Sequence, residues 1–447
     1  MMFKSITLVI SMVACASTFG ADSIESDQKG CDLNDGLSCF NLGYSYFFGK
    51  GVKQDLVKAN EYYQKACDLN EGLGCFGLGA LYNFGVGVKQ DLVKANEYYQ
   101  KACDLNIGSG CEKLGLSYEN GQGVKQDYFK ANEYYQKACD LNDGIGCLGL
   151  GLLYYNGQSV SQDIFKANEY YQKACDLNNG GGCLNLGNSY YNGQGARQDY
   201  FKANEYYQKA CDLNDGGGCF NLGNSYYNGQ GVKQDYFKAK EYYQKSCDLN
   251  YGGGCTNLGF LYENGFGGVK QDIFKANEYY QKSCDLNNDR GCLNLGNSYY
   301  NGRGVKQDFV KANEYYQKAC DLNDGLGCFR LGFLYYNGQG VKQDYFKAKE
   351  YYQKGCDLNH GAACGDLGGL YYLGQGVKQD IFKANEYYKK ACDLNDGLSC
   401  LSLGISYYNG QGVKQNNKFA KEYFGKACDL KVQEGCERYS KLNTMGE

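Results

Sequence analysis

Cysteine recurs as C-x7-C twelve times along this chain, on a pitch of 36 residues that slips once to 37. Cys31 pairs with Cys39, Cys67 with Cys75, Cys103 with Cys111, Cys139 with Cys147, Cys175 with Cys183, and Cys211 with Cys219. The series continues as Cys247 with Cys255, Cys284 with Cys292, Cys320 with Cys328, Cys356 with Cys364, Cys392 with Cys400, and Cys428 with Cys436. A fixed period of this length marks a repeat array, in which each unit buries its apolar face against its neighbours. The slip falls in Asn264-Gly265-Phe266-Gly267-Gly268, where another unit reads Asn228-Gly229-Gln230-Gly231. A residue inserted there without loss of the pattern marks a surface loop.

Two chemistries could explain so many cysteines. Zinc sites need C-x2-C-like spacing, often with histidine. No C-x2-C occurs, and His360 is the only histidine. The cysteines are therefore expected to form twelve local disulfides. Eight residues of continuous helix would hold the two Cα atoms about 12 Å apart, whereas a disulfide needs roughly 4.4–6.8 Å. The chain must turn back between them, and Asp68-Leu69-Asn70-Glu71-Gly72-Leu73-Gly74 carries the Asn and Gly that suit a helix end.

Each period then resolves into two helices. In the first unit, helix A is expected over about Leu37 to Phe48, with Cys39, Leu42, Gly43 and Tyr46 at i, i+3, i+4, i+7. Gly49-Lys50-Gly51 ends it, and Asp55 is the expected N-cap of helix B, about Leu56 to Leu69. Helix B repeats the spacing with Ala59, Tyr62, Tyr63 and Ala66. Gly43 and Ala59 leave room for close helix approach, and the tyrosines fill the space between units. The expected fold is all-α: a right-handed α/α solenoid of about eleven helix pairs, stapled by C-x7-C disulfides. Each closed loop of about nine residues would contribute about 2–3 kcal/mol by loop entropy.

Residues 1–20 read as a secretion signal: Lys4, an apolar core from Ile6 to Val13, then Ala14-x-Ala16 and Thr18-x-Gly20 as candidate cleavage contexts. The odd cysteine, Cys15, lies inside it, and Val13-Ala14-Cys15 partly matches a lipid-attachment box. Cleavage leaves 24 paired cysteines, which fits a secreted or periplasmic, oxidising location. Residues 21–443 are expected to form one domain with partial capping helices, followed by a tail at 444–447. No other segment has the roughly 18 consecutive apolar residues of a membrane helix. The formal net charge is −4, with Lys and Asp spread evenly. That gives no basic stripe and no expectation of a nucleic-acid partner.

The unit text is specific: Leu-Gly-x-x-Tyr at Leu222–Tyr226, Asn-Gly-x-Gly-Val-Lys-Gln-Asp at Asn228–Asp235, and Lys-Ala-x-Glu-Tyr-Tyr-x-Lys-Ala-Cys at Lys311–Cys320. This text resembles the Sel-like repeat family of α/α solenoids, and the added C-x7-C resembles its Helicobacter cysteine-rich branch. The resemblance covers about residues 28–440. It implies an exported protein and, for the branch, penicillin binding with weak β-lactamase activity and contact with peptidoglycan components or host cells. Other family members serve mainly as scaffolds for protein complexes. The family offers no catalytic residue to place on a position of this chain.

The residues themselves carry little catalytic text. Ser-x-x-Lys, the start of a serine β-lactamase motif, occurs once, at Ser26-Asp27-Gln28-Lys29, and Ser-Asp-Asn and Lys-Thr-Gly are absent. A single His360, in Asn359-His360-Gly361 where other units carry Asp or Glu, is read as a solvated turn residue. The repeated Asn-Gly-Gln-Gly-Val loops lack the Gly-Lys-Ser/Thr ending of a phosphate loop. Neither a metal nor a cofactor is expected. The remaining candidate is a surface, the concave face lined by the A helices. There Asn185 and Asn188, Asn221 and Asn224, Asn257, and Asn294 and Asn297 recur at 36- or 37-residue steps. Asparagine can both donate to and accept from a peptide backbone or a sugar amide. The same residues also read as tolerated surface polarity, and the position of Asn188 becomes Leu116, Leu152, Phe260 or Phe333 elsewhere. The expected function is binding of a peptide, a protein or cell-wall and penicillin-like ligands by a monomer. Weak β-lactamase activity is the alternative.

Overall fold

The computed structural model describes residues 24–158 and 161–444. The proposed signal, Cys15 and the last three residues of the expected tail lie outside them. Among the described residues there are 24 helices and no strand. An opening helix, Ile24–Asp32, precedes eleven helix pairs. The first pair is Gly36–Phe48 with Leu56–Asp68, and the eleventh is Gly397–Asn409 with Asn417–Asp429. A closing helix, Gln433–Thr444, follows. The chain divides into two compact units: Met1–Gly218 with Gln230–Val232, and Cys219–Gly229 with Lys233–Glu447. Within each, helices pack in chain order.

The caps explain where helices begin and end. Asp55 accepts from the amides of Val57 and Lys58, as the sequence predicts, and its equivalents do the same in later B helices. Helix A has its own cap, which the sequence reading did not assign: Asp35, Asp143, Asp324 and Asp396 each accept from the first turn. Glycine closes each described A helix in the left-handed conformation, as at Gly49. After the first ten B helices the left-handed residue is asparagine, at φ 61° for Asn70, one of the few non-glycine residues that adopts it at little cost; after the eleventh it is Lys431. The extra residue of the 37-residue step is absorbed where expected, with Gly267 and Gly268 both at positive φ.

The turn brings the paired cysteines together, each with its neighbour eight residues away. In the first unit Cys31 is bonded to Cys39, Cys67 to Cys75, Cys103 to Cys111, Cys139 to Cys147, and Cys175 to Cys183. In the second Cys247 is bonded to Cys255, Cys284 to Cys292, and Cys320 to Cys328. Cys356 to Cys364, Cys392 to Cys400, and Cys428 to Cys436 complete it. These bridges have Cα–Cα distances of 4.5–4.7 Å, inside the range that a disulfide requires. Cys211 and Cys219 are disulfide-bonded as well.

So close a crossing excludes a side chain on one side. At Gly327 a Cβ would sit 2.7 Å from Ala319 Cβ and 3.1 Å from the Cys320 amide nitrogen. One repeat later the pair is reversed: Gly355 occupies the alanine position and Ala363 the glycine position. The opening helix reverses it too, with Gly30 facing Ser38.

The two adjacent tyrosines of the first ten B helices do different jobs. Tyr63 is fully buried, against Gly43, where a Cβ would lie 2.5 Å from its ring. Tyr62 is half-buried and stacks on Tyr46 of its own pair, centroids 5.5 Å apart. Its hydroxyl donates to Gln28 of the preceding B-type helix at 2.9 Å. Tyr98 to Gln64 (2.7 Å) and Tyr170 to Gln136 (2.9 Å) repeat that link, so this tyrosine ties successive repeats through polar rather than apolar contact.

Candidate functional site

Most of the sequence-flagged loops and side chains have structural employment. In the Asn-Gly-Gln-Gly-Val-Lys-Gln-Asp loops the second Gln reaches back to the end of helix A, as Gln234 Nε2 does to the Tyr227 carbonyl at 2.9 Å. Asn168 of one B helix donates to the Gln194 carbonyl of the next loop at 2.9 Å. These bonds hold the loops against the helices that precede them. Ser26 and Lys29 are both exposed on the opening helix. No group of three or more His, Cys, Asp and Glu suited to a metal occurs among the described residues.

His360 departs from the sequence reading. It is half-buried rather than solvated, and it is the N-cap of helix A in the tenth pair (Gly361–Leu373), with Nδ1 accepting from the Ala363 amide at 3.3 Å. Its ring stacks on Phe329 at 5.0 Å. Burial lowers its pKa from the ordinary 6.5, against an opposing pull from Asp324. It does in neutral form what Asp35, Asp143, Asp324 and Asp396 do at their own A helices.

The asparagine positions lie half-buried on the A helices, Asn185 and Asn188 in the first unit and Asn221, Asn224, Asn257, Asn294 and Asn297 in the second. The later position of each pair faces the buried B-helix tyrosine. Tyr207 donates to Asn188 Oδ1 at 2.9 Å, Tyr243 to Asn224 Oδ1 at 2.7 Å, and Tyr316 to Asn297 Oδ1 at 2.8 Å. Asn257 Nδ2 donates to Asn224 Oδ1 at 3.0 Å.

That pairing explains why the asparagine ladder is irregular. Where Asn188 becomes Leu116 or Phe260, the residue three places on is Glu119 or Glu263. Those carboxylates accept from Tyr135 and Tyr280, at 2.6 and 2.7 Å. In the ninth pair, with Phe333, Tyr352 lines a cavity together with Asp366 of the following repeat. A tyrosine hydroxyl buried beside the core favours an acceptor; Asn188, Asn224 and Asn297 supply it from one position, and Glu119 and Glu263 from another. The sequence signal was present as a covariation between positions five and eight after the cysteine. It is invisible without knowing that both face one hydroxyl. At the position equivalent to Asn188, Leu152 of the first unit is 36% exposed and Phe260 of the second is 39% exposed.

The Sel1 repeat model matches eleven times without interruption of the series, from 36–71 to 397–432. Among solved structures, a protective antigen of uropathogenic Escherichia coli with an SLR fold is 27% identical over 95% of this chain and 91% of its own, at a TM-score of 0.58. A Sel1 repeat protein from Oxalobacter formigenes is 31% identical over 55% of this chain and 99% of its own, at 0.51. Cysteine-rich protein B of Helicobacter pylori is 44% identical over 29% of this chain and 92% of its own, at 0.24. No curated protein sequence matches significantly. The repeats account for nearly all of the described chain, and the protein belongs to the Sel1 repeat family.

Proposed function

We propose that this protein is an exported, disulfide-stapled Sel1-repeat scaffold that binds a peptide, a protein or a cell-wall fragment on the face formed by its A helices. Repeats of this family typically serve as protein-interaction scaffolds. The observation that carries the reading is the makeup of that face: asparagines held by tyrosine hydroxyls, interspersed with exposed Leu and Phe at equivalent positions. A carbonyl oxygen has two lone pairs, so an asparagine fixed by Tyr316 keeps acceptor capacity while its rotamer is locked. A ligand meeting locked groups loses less ordering entropy on binding. The paired cysteines are consistent with an oxidising compartment, and no described helix is long and apolar enough to cross a membrane.

The test is capture of partners by the oxidised protein from envelope and host-cell extracts, followed by affinity measurement. Muropeptides and benzylpenicillin serve as defined small probes. The comparison protein carries Asn188→Leu, Asn224→Leu and Asn297→Leu, the residue found at this position in the third and fourth repeats. Each lost hydrogen bond contributes about 0.5–1.5 kcal/mol, so the three together should weaken binding by at least about tenfold. Undiminished affinity in a folded variant would refute the A-helix face as the binding surface.

A further inference from the structure

The ninth repeat (Gly325–Asn337 and Tyr345–Asp357) and the tenth (Gly361–Leu373 and Ile381–Asp393) enclose a cavity of about 270 Å³ on the A-helix side. Its walls include Phe333, Tyr336, Tyr352 and Leu373. Gly369 creates the space. It stands where other repeats place Leu116, Leu152, Asn188 or Phe333, and a Cβ there would meet only the Tyr388 hydroxyl, at 4.0 Å. Asp366 is the one charged side chain in the lining. It too is peculiar to this repeat, since the same position is Asn185, Asn221, Asn257 and Asn294 in the central ones.

Asp366 is open to solvent at the cavity, whose wall it shares with Tyr352. Desolvation by the surrounding walls raises its carboxyl to about 6, the neighbouring Tyr352 hydroxyl opposes the rise, and Asp396 adds to it. At neutral pH the group is still mostly charged, in a setting that favours a cation beside it. Aromatic rings next to a lone carboxylate suit an ammonium group on an aliphatic stem. The stem lies along the apolar wall, the charge meets the carboxylate, and ring faces add cation–π attraction. The volume sits near the lower end for small-molecule sites, which fits one side chain.

We infer that this cavity takes an alkylammonium group, the lysine side chain of a bound polypeptide, with Asp366 as its counter-ion and the Gly369 gap as its entry. The inference rests on the A-helix face being the binding face and adds the chemistry of one subsite.

The probe is Nα-acetyl-lysine amide, titrated into the full oxidised protein and followed by the methyl resonances of Leu373. Nα-acetyl-norleucine amide, which keeps the stem and removes the charge, is the control. Saturable shifts are expected with the lysine probe and at least about tenfold weaker binding with norleucine. Asp366→Asn and Gly369→Leu should each weaken the lysine probe at least about tenfold. Both introduce residues that sister repeats already carry at those positions, so both variants should fold. A lysine probe that gives no saturable shift overturns the inference, as does equal binding of norleucine or undiminished binding by Asp366→Asn. These outcomes are separable from failure of the face itself. A partner weakened by the asparagine substitutions but indifferent to Asp366→Asn sinks the subsite alone.

Discussion

The tyrosine–asparagine pairs give the sharpest quantitative test of this structure. Tyr316 is 1% exposed, and its hydroxyl donates to Asn297 Oδ1 at 2.8 Å. In Tyr316→Phe the bond is lost together with its donor, so the cost is the net value of one hydrogen bond, about 0.5–1.5 kcal/mol. Asn297→Leu leaves the hydroxyl without that acceptor beside the core, which costs about 1–3 kcal/mol before the added apolar contact offsets part of it. In the double variant no hydroxyl needs an acceptor, so the two losses should not add. The expected coupling is about 0.5–1.5 kcal/mol. Global melting is a poor readout, because long repeat arrays lose two-state cooperativity. Native-state hydrogen exchange of the Phe309–Asp321 amides reads the local effect, where about 1 kcal/mol lowers protection about fivefold. Tyr171 supplies the control: it is 2% exposed, and Leu152 stands 19 residues before it, where Asn297 stands before Tyr316. Tyr171→Phe should cost less than Tyr316→Phe. A coupling indistinguishable from zero at Tyr316 and Asn297 would refute the acceptor role and return the asparagines to ligand contact alone.

The other expectations are more local. Replacing Cys139 and Cys147 together by serine should destabilise their crossing by about 2 kcal/mol, a little under the loop-entropy value. The turn bonds from Asn142 and Asp143 amides to the Cys139 and Ala138 carbonyls (3.1 and 3.0 Å) would survive; unchanged exchange protection around the turn would show that the staple is redundant. Gly327→Ala should cost about 1–3 kcal/mol through its overlap with Ala319, and adding Ala319→Gly should recover most of that, because it recreates the arrangement of Gly355 and Ala363. A double variant no better than the single one in denaturant melts would count against this packing account. His360 caps its helix as a neutral ring, and burial lowers its pKa. The folded state therefore binds fewer protons, so stability is complete above the ordinary value of about 6.5 and is lost as pH falls below it. Exchange at Gly361–Leu373 should quicken below that pH, and the acceleration should vanish in His360→Asp; a pH-independent rate would contradict the cap. If nitrocefin turnover is detected, Ser26→Ala and His360→Ala should leave it intact, and a large loss in either would reveal a site built on that residue.

What could be read from the sequence was whatever a period and a covalent limit determine together. Cysteines eight apart cannot bridge along a helix, so the turn, and with it the helix pair, follows from arithmetic. Asp55 as a cap follows from local chemistry over three residues. The roles of the tyrosines, of the asparagines and of His360 depend instead on which groups meet across helices. Tyr316 and Asn297 are 19 residues apart, and no local rule links them. The face that reads as a row of ligand-binding asparagines is partly a row of acceptors for buried hydroxyls, with Glu119 and Glu263 in that role where Leu116 and Phe260 replace asparagine.

The same dependence gives a criterion for finding sites in an array of near-identical units. A side chain that recurs in every repeat is first explained by what every repeat must do, which is fold. Functional candidates are departures that packing does not require. Gly355 with Ala363 departs from the pattern, yet each change compensates the other, and the crossing is filled. Gly369 departs without compensation: no neighbour grows into its place, and a cavity remains. Asp366, beside it, replaces a neutral amide with a charge that no lining residue balances. An uncompensated gap next to an unbalanced charge costs the fold packing and electrostatic stability. That cost distinguishes the junction of the ninth and tenth repeats from Asn188, Asn224 and Asn297, each of which also serves the fold as the acceptor for a buried tyrosine.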